Sequence, residues 1–526
     1  MEDGNDPVQN DTSGKDNPME QLNEEYEEAE QSQSFLQRME NGHYRIKFFR
    51  TVAILFGFVT HGIVFSQRGP SFLDLQLITD TDVEKASTYF TATAVGYMSG
   101  SFAGGVLFDR FNSVILLFLP MFGLSLSVIV IPLCSYYGLM LTMMFVSAVF
   151  MGWYDTAGNA DVVATWGAEG HSYIQIMNFM FAVGGLIAPL ITEPFLSYPA
   201  DDSMDSSSVI PPTESSNTSF TFPVLTNTSS FPEGFNNYSD VKHVDSSGET
   251  RLIYAYIISG LLTFHASLPF FVLFLNDKMH KKMNKKLKSK DTERPRKRDL
   301  PLTYFILTIV FINAIYFFDC AVEDTFSGYL LTFVVMQLKW NKSQGSLVTS
   351  VYWGSFAVLR FIGIFLIRCL TPVKWLFIFT SALTVSLFGF FLCAKYELHI
   401  GVWLFTALVG ASISIIFATG LNWIEQSVLR LTGKVLSSII IAGACGSMLN
   451  PLIIGHLMQE LTPMWFCYLF LIEIVLYFLF FGILFYFSRT VLIKVRYVTP
   501  TEQEIGEESS SIQKAFLENG GREVSE

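Results

Sequence analysis

Apolar runs of about 20 residues recur along the chain and are separated by short polar stretches. A helix needs about 20 apolar residues to cross a bilayer, so each run predicts one membrane-spanning helix. The runs are continuous and not alternating, which excludes a transmembrane β-barrel. The pattern predicts twelve spans, at 48–67, 86–108, 113–133, 137–160, 172–195, 252–275, 302–322, 345–367, 373–393, 399–421, 435–457 and 463–487. The expected fold is an all-α membrane protein with twelve transmembrane helices in two six-helix halves.

Polar segments divide the chain around these two halves. The predicted regions are an acidic tail at 1–47, a first half at 48–275, a basic linker at 276–301, a second half at 302–487 and a tail at 488–526. The linker carries 11 basic against 4 acidic residues. By the positive-inside rule the linker is cytoplasmic, and six spans on each side then place both termini in the cytoplasm.

The segment 196–250 is polar and nearly free of Lys and Arg. It contains N-glycosylation sequons at Asn217, Asn227 and Asn237, and the threading of the spans places it outside the cell. We therefore expect an extracellular, glycosylated loop and a multi-pass protein of the plasma membrane.

Composition limits the function classes. Of the 526 residues, 50% are hydrophobic and only 15% charged, against about 25% charged in soluble proteins, so a soluble enzyme is excluded. The net charge of −13 resides in acidic tails, which makes nucleic acid an unexpected partner. No phosphate-binding loop, nucleophile–base arrangement or zinc spacing occurs among the motifs. We expect a monomer in the lipid bilayer with no metal site and no cofactor beyond a coupling ion.

The two halves show an internal repeat at an offset of 258 residues. The matched pairs are Gly96 with Gly354, Gly105 with Gly363, and Arg110 with Arg368. Two six-span halves with the same glycines and cytoplasmic arginine are typical of transporters built from parallel repeats.

The segment GGVLFDRFN at 104–112 resembles the loop 2–3 signature of the major facilitator superfamily, although the trailing basic residues of that signature are absent. The resemblance implies the major facilitator fold. Asp109 and Arg110, with Arg368 in the repeat, are predicted gating residues at the cytoplasmic mouth, where they can pair across spans. An ordinary interfacial charge pair is the alternative.

A narrower resemblance covers most of the membrane part. MGWYDTAGNADVVATWG at 151–167 is similar to the span 4 motif of the fucose permease family, and RGPSFLDL and VEDTFSGY resemble the branch that holds the sodium-dependent glucose transporter 1 and its orphan relatives. The resemblance puts Asp155 at the ion-coupling position, where the fucose permease has Glu. Motifs of the facilitative glucose transporters are absent.

Ionisable side chains deep in a bilayer are functional candidates by default. Asp155 in span 4 is the first predicted ion-coupling residue. Asp319 and Glu323 in span 7 form a like-charged i, i+4 pair, which invites a cation or a shared proton. A structural partner for each carboxylate is the alternative.

Polar and aromatic side chains inside the spans are predicted to bind solute, since amides and hydroxyls suit a hydroxyl-rich ligand and an indole packs on a sugar ring. The predicted residues are His61, Gln67, Asn159, Gln175, Asn178, Asn313, Tyr316 and Trp353. Hydrogen bonding between helices is the alternative for the amides.

Together these features predict a secondary active transporter, not an enzyme, that moves glucose or a related hexose with Na⁺ or H⁺ by alternating access. Two alternatives stay open. The solute is instead an organic acid or amino acid, for which Arg360 is the midspan cation, or the chain is a sensor that does not transport.

Overall fold

A computed structural model describes residues 39, 41–108, 110–167, 170–197, 250–277, 301–366, 369–429 and 433–492. These residues form twelve long helices. They are α1 Gly42–Ile78, α2 Thr88–Phe108, α3 Ser113–Val130, α4 Tyr137–Trp166, α5 Gly170–Thr192, α6 Leu252–Asp277, α7 Leu302–Leu338, α8 Lys342–Leu366, α9 Pro372–Lys395, α10 His399–Ile413 with Ile416–Trp423, α11 Gly433–Glu460 and α12 Trp465–Phe487. Most of the two tails, the loop and the linker lie outside the described residues.

Ten of the described helices are long and apolar enough to cross a membrane. The other two, α2 and α8, are rich in Gly, Ser and Thr. They occupy equivalent places in the two halves and pack across the interface between the halves, α2 on α11 and α8 on α5. Small polar residues suit such interfaces because they let helices approach closely. The predicted twelve-helix membrane fold is confirmed.

Helix packing in the first half is repeated in the second. The contacts α1–α5, α1–α6, α2–α4, α3–α4 and α3–α6 recur as α7–α11, α7–α12, α8–α10, α9–α10 and α9–α12. The halves meet through α1–α7, α2–α11 and α5–α8. The repeat read from the sequence is therefore a repeat of architecture.

Glycine permits a close helix contact at equivalent positions of the two halves, 258 residues apart. A Cβ on Gly152 of α4 would lie 2.0 Å from the backbone oxygen of Tyr97 on α2. A Cβ on Gly410 of α10 would lie 2.3 Å from the backbone oxygen of Tyr352 on α8. The α2–α4 and α8–α10 pairs are thus packed backbone to backbone.

The helices α1 and α7 contain 37 residues each, longer than the predicted spans 48–67 and 302–322. Arg68 and Asp324 end the apolar runs in sequence, but both residues are half-buried and the helices continue past them. We call the face where α1 begins and α12 ends the N-terminal face, and the opposite one the far face.

Candidate functional site

Asp155 on α4 is held by polar side chains of its own half. The Tyr97 hydroxyl of α2 donates a 2.6 Å hydrogen bond to Asp155 Oδ2. Asn159 Nδ2 donates to Asp155 Oδ1 at 3.2 Å and to its backbone oxygen at 2.9 Å, as expected from the i, i+4 spacing. In the described part of the chain Asp155 forms no ion pair, so its partners there are uncharged.

The carboxylate of Asp324 on α7 lies near the first half, where α1 and α7 touch. A Cβ on Gly69 would lie 2.8 Å from the backbone oxygen of Ser327. The adjacent Arg68 lies within electrostatic range of Asp324, and Tyr97 lies within range of the same carboxylate. Ser447 of α11 donates a hydrogen bond to Asp324.

Glu323 has a cationic neighbour of its own. It lies within electrostatic range of Arg360 on α8, whose guanidinium sits 4.8 Å from the centre of the Phe356 ring. Between the halves, Arg68 and Arg360 therefore lie near the acids of α7, Asp324 for Arg68 and Glu323 for Arg360. Asp155 and Tyr97 lie on the first-half side of the same interface.

A second cluster of polar side chains lies where α1, α5 and α8 meet. Trp353 is buried and packs edge-on against Phe65 and Phe181. Gly185 makes room for it, because a Cβ there would lie 2.6 Å from the indole and 3.0 Å from Ser66 Oγ. Buried polar atoms without a hydrogen-bond partner within the described chain are His61 Nδ1, Ser66 Oγ, both amide atoms of Gln67 and Trp353 Nε1. Leaving such groups unpartnered is costly.

The other predicted solute residues are dispersed. The Tyr316 hydroxyl donates to the backbone oxygen of Phe417 at 3.2 Å, inside the second half. Asn313 accepts a 3.3 Å hydrogen bond from Ser438 of α11. Gln175 and Asn178 are half-buried on α5. Only part of the predicted set thus gathers between the halves.

Little of the predicted gate and loop can be located. Arg110 is exposed directly after α2, at the N-terminal face. Asp109 and Arg368 lie outside the described residues, as do the predicted glycosylation sites Asn217, Asn227 and Asn237. Their roles stay predictions.

An ion pair at the far face was missed from the sequence. The carboxylate of Asp74, at the end of α1, is fully buried. It accepts hydrogen bonds from Ser197 N at 2.8 Å, from Thr250 Oγ1 at 2.9 Å and from Lys342 Nζ of the second half. Lys342 also donates to Ser197 Oγ at 2.6 Å. We call Asp74, Ser197, Thr250 and Lys342 the far-face latch. The signal in the sequence was Asp74, the acidic residue of RGPSFLDL. The apolar pattern assigns this segment to a loop.

In the described residues no cluster of three or more His, Cys, Asp or Glu side chains could hold a metal ion. The oxygens of Asp155, Tyr97 and Asn159 suit either a hard monovalent cation or a proton. The arrangement therefore matches ion binding beside a polar solute better than it matches bond-making chemistry.

Comparison with known proteins agrees with this architecture. The model of the Major Facilitator Superfamily matches residues 14–195. The Sodium-dependent glucose transporter 1 of Homo sapiens is 30% identical over 393 residues, which covers 74% of this chain and 70% of that protein.

Two solved structures share the fold. A bacterial homologue of the human lysosomal transporter Spinster, inward-facing and unoccupied, has a TM-score of 0.56 at 12% identity and covers 88% of this chain and 100% of its own. The transporter FucP in its outward conformation has a TM-score of 0.51 at 14% identity and covers 84% and 98%. With the two six-helix halves and the polar interface between them, these matches show that the chain is a non-enzymatic transport protein of the major facilitator superfamily, in the branch of the sodium-dependent glucose transporter 1 proteins.

Proposed function

We propose that the chain is a secondary active transporter that moves glucose or a related hexose together with Na⁺ or H⁺. The observation that carries the proposal is Asp155, a carboxylate held by the uncharged donors Tyr97 and Asn159 beside the interface of the halves. A carboxylate within a membrane needs a compensating charge or a proton. A transported cation supplies one whose occupancy changes during the cycle.

The unpartnered polar atoms at the α1–α5–α8 contact support a hydroxyl-rich solute. Gln67 offers both a donor and an acceptor, and Trp353 Nε1 and Ser66 Oγ lie close by. Each sugar hydroxyl both donates and accepts, so a hexose satisfies several of these groups at once.

An anionic solute is the second candidate, because Arg68 and Arg360 both lie near the interface. Each of them has an acid in electrostatic range, Asp324 for Arg68 and Glu323 for Arg360. Since each guanidinium group already has an acid nearby, a neutral solute is favoured over an organic acid.

We propose that the N-terminal face is cytoplasmic, with the protein in the plasma membrane. By the alternation of the helices, α6 ends and α7 begins at this face, and the basic sequence between them supports the orientation by the positive-inside rule. The far-face latch then closes the extracellular side, and opening it exchanges access between the two sides. One chain contributes all the groups of the site, which supports a functional monomer.

Uptake by purified protein in proteoliposomes tests the proposal. Labelled hexoses, amino acids and organic acids are offered under Na⁺ and pH gradients imposed separately. We expect accumulation of a hexose under one gradient. Saturable uptake of only amino or organic acids contradicts the solute assignment, and no saturable uptake of any solute favours the sensor.

Asp155→Asn tests the coupling residue. The variant should lose gradient-driven accumulation yet keep counterflow exchange, because exchange needs no net ion movement. Glu473→Gln is the matched control, since Glu473 is a buried acid on α12 bonded to Asn450. Full accumulation by Asp155→Asn contradicts coupling at this residue.

Trp353→Phe tests the solute site by removing one hydrogen-bond donor while keeping an aromatic ring. One hydrogen bond is worth about 0.5–1.5 kcal/mol, so KM should rise roughly two- to twelvefold. Trp423→Phe, another buried indole of the second half, is the control. An unchanged KM removes Trp353 from the site.

A further inference from the structure

The halves are also joined at the far face by a short helix that is not part of the far-face latch. This helix, Val83–Ala86, lies between α1 and α2 and packs against α11 of the second half. Ser87 follows it and is buried against Gly455, where a Cβ would lie 1.8 Å from the Ser87 hydroxyl oxygen. Tyr329 of α7 donates a hydrogen bond to the same hydroxyl. The short helix of the first half is thus docked firmly on the second half.

This docking brings an acid and an imidazole together across the halves. Glu84 lies on the short helix, and His456 follows Gly455 on α11. The distance from His456 Nδ1 to Glu84 Oε1 is 3.0 Å. The His456 side chain is 57% exposed and that of Glu84 is 46% exposed, so protons from the medium reach both. Because the two residues belong to different halves, opening of the far face separates them.

The contact is an ion pair in only one protonation state of the imidazole. A glutamate in water is ionised at neutral pH, whereas an imidazole changes its charge between about pH 5 and 8. Protonated His456 attracts Glu84 through its charge and its N–H group. Neutral His456 offers at most a hydrogen bond. The contact should therefore strengthen as the pH falls through this range and weaken as the pH rises.

Other charged and titratable groups at this end of α11 leave the pair intact. They are Glu460 on α11, Asp80, Asp82 and Lys85 at the short helix, Tyr89 on α2, Tyr329 and Lys339 on α7, and Cys467 and Tyr468 on α12. The ammonium of Lys85 lies 4.7 Å from the centre of the Tyr137 ring on α4. Neither lysine forms an ion pair with Glu84 in the described part of the chain. Glu84 is therefore available to His456.

We propose that Glu84 and His456 form a pH-dependent clasp that holds the far face closed when His456 is protonated. Acidification of the medium at that face adds an ion pair between the halves and lowers the population that is open there. A rise in pH removes the ion pair and raises that population. An exposed ion pair shifts an equilibrium by roughly 1.4- to fivefold, so the clasp adjusts opening and does not block it. The proposal depends neither on the solute nor on Asp155.

Cysteine accessibility in purified protein in lipid nanodiscs tests the clasp without a transport measurement. Ser350 on α8 is 5% exposed while the far face is closed. It lies one turn from Ser346, which donates to the backbone oxygen of Pro189 across the halves. Ser350→Cys, introduced after the six native cysteines are replaced, therefore reacts with a maleimide when the far face opens. All variants carry this same thiol, so the ratio of two labelling rates at one pH cancels the ionisation of the thiol.

His456→Gln removes the group that gains the proton. Its labelling rate divided by that of the parent should be near one at about pH 8 and roughly 1.4- to fivefold at about pH 5.5. Glu84→Gln removes the other charge and should give the same pattern. Both side chains are largely exposed, and size-exclusion elution verifies that the variants fold.

His265→Gln is the matched control. His265 is an exposed histidine on α6 whose Nδ1 lies 2.7 Å from the backbone oxygen of Leu261 in the same helix, so it joins no halves. Its rate ratio should stay near one at both pH values. A His456→Gln ratio that is the same at both pH values overturns the proposal, as does an equal change in His265→Gln.

Discussion

Lys342 supplies the cation of the far-face latch, and removing its charge should open that face. Lys342→Met keeps the length of the side chain but leaves Asp74, which is fully buried, without its counter-charge. Breaking a buried ion pair costs about 3–5 kcal/mol. The lysine side chain is 15% exposed and other donors to Asp74 remain, so we expect about 2 kcal/mol here, since solvent screening weakens such pairs.

This free-energy cost destabilises only the conformation that is closed at the far face. When the halves separate at the far face, Asp74 is hydrated and the missing lysine no longer matters. The population open at that face should therefore rise roughly 30-fold, at about 1.4 kcal/mol per factor of ten.

Cysteine labelling measures the shift. Ser350 is buried on α8 below the latch, and Ser350→Cys is introduced after the six native cysteines are replaced. The rate of reaction with a membrane-impermeant maleimide then reports the open population, and Lys342→Met should raise it roughly 30-fold. Lys85→Met, an exposed lysine at the same face, should leave the rate unchanged.

A double variant separates charge from packing. Asp74→Asn with Lys342→Met removes both charges and should return the labelling rate to near that of the parent, because a neutral pair leaves no buried charge. A Lys342→Met rate equal to the parent rate, or an equal rise in Lys85→Met, would refute the reasoning.

Three further predictions concern packing, gate and topology. Gly100→Ala should lower the thermal midpoint of the purified protein, because its Cβ would lie 1.9 Å from the backbone oxygen of Val149 and overpacking costs about 1–3 kcal/mol. Gly105→Ala is the control and should leave the midpoint unchanged, since its Cβ meets only Thr156 at 3.7 Å. Equal midpoints in the two variants would contradict the tight α2–α4 contact. Arg110→Ala should slow transport with normal amounts of protein in the membrane, as the exposed side chain contributes little to folding; degradation of the variant would instead assign Arg110 a structural role. Glycosidase should shift the electrophoretic mobility of the wild type but not of a variant with Gln at 217, 227 and 237, and a full shift in that variant would contradict the outside placement of the loop.

The apolar runs were enough to predict the number of helices and their division into two halves, because exposure to lipid leaves a long hydrophobic run in most spans. The contact between Asp155 and Asn159 also follows from one helical turn. Tyr97, the other partner of Asp155, is 58 residues away, and local spacing carries no information about such a pair.

The residues of α7 show a second limit of prediction from sequence. Tyr316 and Glu323 are seven residues apart, a spacing that puts them on one stripe of an ideal helix, yet Tyr316 contacts α10 while Glu323 lies near α8. A helix that crosses its neighbours at an angle changes partners along its length, so one stripe borders different helices. Asp74 was missed for another reason, since the apolar pattern reports exposure to lipid and not coverage by protein.

The backbone contact at Gly152 has a mechanical consequence. It joins α4 to α2 at Tyr97, so the spacing between Asp155 and the Tyr97 hydroxyl is locked within one rigid body. Asp324 belongs to the other body, and its separation from Tyr97 changes whenever the halves rotate. A rotation of the halves would therefore change the electric field that Asp324 exerts on the Tyr97 hydroxyl and on its hydrogen-bonded partner Asp155.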